Sequence, residues 1–135
     1  MTLLVQDNGE GDALQYFVNK AAPQNLVLKL YKNNVTPAET DTAASYTEAT
    51  WTGYSAITLT GASWGAPSEG APSSIAYAQQ TFTSSANQTL ENSYGYFMVR
   101  ASSGRIALAE RFSDGPYGIA NNGDTIKITP QITAD

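Results

Sequence analysis

The chain has 135 residues with no cysteine and no histidine, and seven basic residues against twelve acidic ones give a net charge of −5. Without cysteine and histidine there is no disulfide, no thiolate metal site, no cysteine nucleophile and no Ser-His-Asp triad. The seven cations are scattered singly, which opposes a phosphate-neutralising face and hence direct contact with nucleic acid.

One domain is expected at this length, burying about two-thirds of the surface that the unfolded chain exposes. Charged residues make up only 14% of the chain, against roughly 25% in typical soluble domains. Neutral polar residues replace them, and a surface of that kind desolvates at modest cost against other protein. The opening stretch MTLLVQDNGEGD lacks the basic start and long apolar run of a secretory leader, so synthesis in the cytoplasm is expected. No apolar stretch approaches membrane-spanning length, and no membrane partner is expected.

Residues 1–9 read as an N-terminal arm or edge strand. Leu3, Leu4 and Val5 are apolar and have no hairpin mate nearby, so they pair either within their own sandwich or with a neighbour's sheet edge. Residues 10–135 read as one β-sandwich domain. Asp7–Asp12 is an acidic, glycine-containing stretch, but Gly9 and Gly11 fall where a calcium loop needs ligands, so it reads as the lead-in to a helix.

The spacing predicts that helix over residues 10–20, with Leu14, Phe17 and Val18 forming an apolar stripe that docks on the core. Period-two alternation then predicts strands over 26–32, 54–60, 75–83, 94–100, 105–112 and 125–129 with Ile132, and a short one over 47–51. Tyr94 and Tyr96 are expected on one face, as are Ile106, Leu108, Glu110 and Phe112. Ser102-Ser103-Gly104 and Asn122-Gly123 are turn signals. Residues 61–74 read as a loop anchored by Trp64. Long connections over 33–46 and 61–74 favour Greek-key or jelly-roll wiring over a meander.

Chemistry is sparse. Glu48, Glu91 and Glu110 are the carboxylates that a glycosidase-like pair would need, but Glu110 reads first as an ion-pair partner for Arg100 or Arg111. Arg111 reads as a partner for Asp114 or for a neighbouring chain. Trp51, Tyr54, Trp64, Tyr77, Tyr94, Tyr96 and Tyr117 are aromatics for core, interface or sugar stacking, with at least one of Trp51 and Trp64 expected as an anchor for a protein contact. No catalytic residue, cofactor or metal is expected.

Two blocks of sequence carry a resemblance. Leu28-Lys29-Leu30-Tyr31-Lys32-Asn33-Asn34-Val35-Thr36-Pro37, with Tyr46-Thr47-Glu48-Ala49 and Gly53-Tyr54, is the first. Ala109-Glu110-Arg111-Phe112-Ser113-Asp114-Gly115-Pro116-Tyr117, with Asn121-Asn122-Gly123-Asp124-Thr125-Ile126 and Thr129-Pro130, is the second. Together they resemble small all-β virion proteins of tailed bacteriophages, similar to jelly-roll capsid cement (decoration) proteins. The resemblance implies an all-β, jelly-roll-like antiparallel β-sandwich with one short N-terminal helix. It implies a non-enzymatic cement protein on the outer surface of the capsid, binding the major capsid protein and itself, as a homodimer or a trimer. Leu3, Leu4, Val5, Trp51, Trp64, Arg111 and Tyr117 are the contact candidates. The alternative is a tail or baseplate module that binds host glycans through exposed aromatics.

Overall fold

The computed structural model describes residues 4–134. Antiparallel β-sheet dominates, with one N-terminal helix, several small sheets and no closed barrel among the described residues. In chain order the elements are β1 (Leu4–Val5), α1 (Asp7–Phe17), β2 (Leu26–Tyr31), β3 (Ile57–Leu59), β4 (Ser73–Ala76) and β5 (Gln80–Thr83). They continue with β6 (Glu91–Ser93), β7 (Gly95–Arg100), β8 (Ile106–Arg111), β9 (Tyr117–Ile119), β10 (Thr125–Ile128) and β11 (Gln131–Ala134).

A five-stranded sheet in the order β1-β8-β7-β2-β3 forms one layer. Its inner face packs Leu28, Leu30, Tyr96, Met98 and Leu108 against Trp51, Phe82 of β5, Ile119 of β9, and Ile126 and Ile128 of β10. The opposite face is covered too. Tyr31, Phe97, Val99 and Ala109 pack with Tyr46, Val35 and Ala43 from the long 32–56 connection. Burial on both faces explains why Tyr96, Phe97, Met98 and Val99 are all buried, where alternation predicts every second residue to face water.

Two irregularities redirect side chains. Met98 pairs with Leu108 but Val99 pairs with Ile106, so Ala107 is an extra residue. That bulge moves Ile106 to the face opposite Leu108, correcting the expectation that they share one. The predicted strand over 75–83 is two strands. β4 pairs with β11 and β5 with β10, and between them Tyr77–Gln79 stand opposite only Thr129–Pro130. Pro130 has no N–H to give the ladder, and the register slips by one residue there. The predicted strand over 47–51 reduces to a single bridge between Tyr31 and Glu48. The one over 54–60 reduces to β3.

α1 starts and stops three residues earlier than its sequence pattern suggests. Asn19 adopts a left-handed conformation with φ of 57°. The Lys20 N–H donates to Gln15 O at 2.8 Å and the Asn19 N–H to Tyr16 O at 3.1 Å. This pair of bonds is the Schellman stop, and asparagine is the residue after glycine that most readily enters it. No helix among the described residues is long and apolar enough to cross a membrane.

Candidate functional site

The outward face of α1 is the feature that the rest of the fold does not account for. Leu14, Phe17 and Val18 are 69%, 91% and 68% exposed. The stripe that the sequence pattern assigns to the core therefore faces solvent. The reason lies on the opposite side of the helix. A Cβ on Gly9 would come within 2.1 Å of the Ala107 carbonyl oxygen, so the helix backbone sits directly on the bulge of β8. Asp12, one turn on, forms an ion pair with the buried Arg100. Close approach and a buried counter-charge select the inward face, and the apolar stripe is left outside.

Beside the stripe lies an apolar recess of about 240 Å³, lined by Gly9, Ala13 and Tyr16 of α1 together with Leu26, Leu108 and Ile132. Val5 of β1 also reaches it. Phe17 follows Ala13 by one helical turn, so the recess and the exposed stripe form one continuous apolar surface. Ile132 also borders a second shallow apolar depression of about 190 Å³, formed with Pro67, Ile75 and Ala134. Charges stand at both ends of the stripe. Glu10 lies in the first turn and Lys20 just past the last, both exposed, and neither has an ion-pair partner among the described residues.

The predicted contact residues are dispersed. Leu3 lies outside the described residues. Leu4 and Val5 pair with Ala109 and Leu108 at the edge of the large sheet, and Asp7–Gly9 belong to the first turn of α1. Trp51 is only 4% exposed and meets Tyr54 edge-on within the core, leaving no ring face for a partner. Trp64 is half-buried and stands edge-on to Tyr77 with ring centroids 5.3 Å apart. Tyr117 packs on Phe112 at 4.8 Å and donates its hydroxyl to Asp114.

Arg111 neither meets Asp114 nor projects freely. It donates to Val35 O at 2.8 Å and Asn34 Oδ1 at 2.7 Å, with its guanidinium over the Tyr94 ring, and so staples the 33–35 turn to the sheet. Tyr94 and Tyr96 fall on opposite faces because Tyr94 interrupts the passage from β6 to β7.

The three carboxylates weighed for catalysis are spent separately. Glu48 pairs with Lys29 at 2.9 Å and Glu91 with Lys32 at 3.1 Å. Glu110 pairs with neither Arg100 nor Arg111 and instead accepts the Tyr96 hydroxyl at 2.6 Å. That pair lines a polar groove of about 400 Å³ with Phe112, Lys127, Gln131 and Thr133. Burial, reinforced by the Glu110 carboxylate, pushes the Tyr96 hydroxyl far above its ordinary pKa and keeps it a donor. One carboxylate and one ammonium line the groove, so it offers hydrogen bonding without a second acid to work against the first.

Sequence reasoning missed the recess and the outward turn of the stripe. The signal was present in Gly9 and Asp12, a glycine and a charge three residues apart on one helix face. Comparison with protein-family models, with curated proteins and with solved structures finds no match.

Proposed function

We propose that this chain is a virion structural protein of the cement type, adhering to the outside of a tailed-phage head through contacts with the major capsid protein and with its own copies. The jelly-roll wiring implied by the resemblance belongs to this proposal. The observation that carries it is the uncovered apolar face of α1, continuous with an apolar recess and held rigidly against the sheet. Exposed, contiguous apolar surface on a polar, lightly charged protein is the usual mark of a protein-docking face. Repetition over a symmetric shell turns modest contacts of this kind into strong retention.

The glycan-binding alternative draws less support. It needs flat exposed aromatics, whereas Trp51 and Tyr96 are buried and Tyr54, Trp64, Tyr77 and Tyr117 pack against the core. Quantitative mass spectrometry of purified particles tests the proposal. Hundreds of copies per virion, and loss of packaged DNA on heating or at low salt when the gene is deleted, are the expected results. A dozen copies or fewer, or deletion particles as robust as the parent, would overturn it.

A further inference from the structure

We infer that the outward face of α1 is a self-recognition surface: two copies of this chain pair antiparallel, helix to helix, about a twofold axis. The inference rests on the adhesive reading of that face and names its occupant.

The helix carries both halves of the match. Along one side run Glu10, Leu14 and Phe17, and Lys20 follows the Schellman stop. An antiparallel crossing centred between Leu14 and Phe17 sets Phe17 of each copy against Leu14 of the other. Phe17 also falls one helical turn from Ala13, which lines the 240 Å³ apolar recess. The same crossing brings Glu10 of each copy to Lys20 of the other, and both side chains are exposed with no ion-pair partner among the described residues. Helix dipoles oppose one another in this arrangement.

A parallel crossing would set Glu10 against Glu10 and Lys20 against Lys20, so the charge pattern selects the antiparallel orientation. Such a contact is isologous and closes at two copies. Little ordering is required on association, because the buried Asp12–Arg100 pair and the Gly9–Ala107 contact already fix the helix on the sheet.

Sedimentation equilibrium of the purified full chain tests the pairing. A dimer is expected for the parent, with Phe17→Glu raising the dissociation constant roughly 30-fold or more. Glu10→Lys alone and Lys20→Glu alone are each expected to weaken self-association, since each sets like charges together twice. Mixing these two variants restores a dimer, now a heterodimer in which both contacts again set opposite charges together, one as in the parent and one reversed, and circular dichroism checks that each variant is folded. A monomeric parent at about 100 µM overturns the inference. So does a dimer indifferent to Phe17→Glu, or a mixture that associates no better than its components. A monomeric chain still present in hundreds of copies per particle defeats the pairing and leaves the cement function standing. A dimer absent from particles does the reverse.

Discussion

Asp12 of α1 and Arg100 at the end of β7 form a buried ion pair, with side chains 11% and 3% exposed, and this pair decides which face of the helix turns outward. Arg100 also donates to Ile106 O at 3.3 Å, and Arg105 Nε reaches the same Asp12 oxygen at 3.3 Å from a half-exposed position. With Asp12 drawn inward, Leu14 and Val18 point away from the sheet.

Removing one partner strands the other. Asp12→Ala leaves a guanidinium buried without a counter-charge and is expected to cost about 3–5 kcal/mol in urea denaturation. Arg105→Ala, at the exposed end of the same cluster, is expected to cost under about 1 kcal/mol. Equal losses for the two would show that Arg100 is not desolvated as described.

The two helix glycines give opposite signs. A Cβ at Gly9 would collide with the Ala107 carbonyl, whereas nothing lies within 4 Å of a Cβ at Gly11. Gly11→Ala is expected to stabilise the fold by about 0.5–1 kcal/mol through helix propensity alone. Gly9→Ala is expected to destabilise it by more than that, because the clash is with backbone that cannot swing aside. Thermal melts of the two variants check the contrast.

Strands β2, β7 and β8 were legible in the sequence because their apolar runs are long and end at clear turn signals. Gly104 and Gly123, with φ of 68° and 91°, occupy the positive-φ positions that those signals imply. β6 and β9 were not legible. Glu91–Ser93 and Tyr117–Ile119 are three residues each and exist only because they pair with one another across the chain. The stripe of Leu14, Phe17 and Val18 was legible as a stripe, but periodicity names a face without saying what it meets. The direction came from two tertiary facts, the approach at Gly9 and the counter-charge at Arg100. For a related reason the sequence did not show that Trp51 is buried against Tyr54 and that Arg111 bonds the 33–35 turn, since each of these partners is brought close only by the fold.

Glu91 joins β6 to the 47–51 stretch and makes stability depend on acid pH. Burial would raise its pKa, but the Thr50 N–H at 2.7 Å, the Thr50 hydroxyl at 2.8 Å and Lys32 at 3.1 Å outweigh it and hold the carboxyl below its ordinary value. The unfolded chain then binds this proton more readily than the folded one. The stabilisation is therefore present above the ordinary carboxylate range and disappears as pH falls through the lowered value. Glu91→Gln is expected to lose about 1–2 kcal/mol at neutral pH, with the gap to the parent narrowing in acid. Denaturant titrations across that range check it, and a gap independent of pH would refute the assignment.

At the alkaline end four of the eight tyrosines behave as a group. Burial pushes Tyr31 up to about 12. Burial pushes Tyr46, Tyr54 and Tyr96 higher still, and each donates its hydroxyl to a carboxylate that resists a second negative charge: Asp41 at 2.8 Å, Glu48 at 2.9 Å and Glu110 at 2.6 Å. For Tyr54 the Leu30 N–H, donating to the phenol oxygen at 3.1 Å, opposes the shift without reversing it. In the unfolded chain all four ionise near pH 10. The folded state thus holds these protons longer, so stability is intact below about pH 10 and falls steadily as pH rises above it. Phenolate absorbance from these four hydroxyls is expected to appear together with loss of the far-ultraviolet dichroism signal. Ionisation of these four near pH 10 with secondary structure intact would mean that their hydroxyls reach water and that the cores around Tyr31 and Tyr96 are not closed.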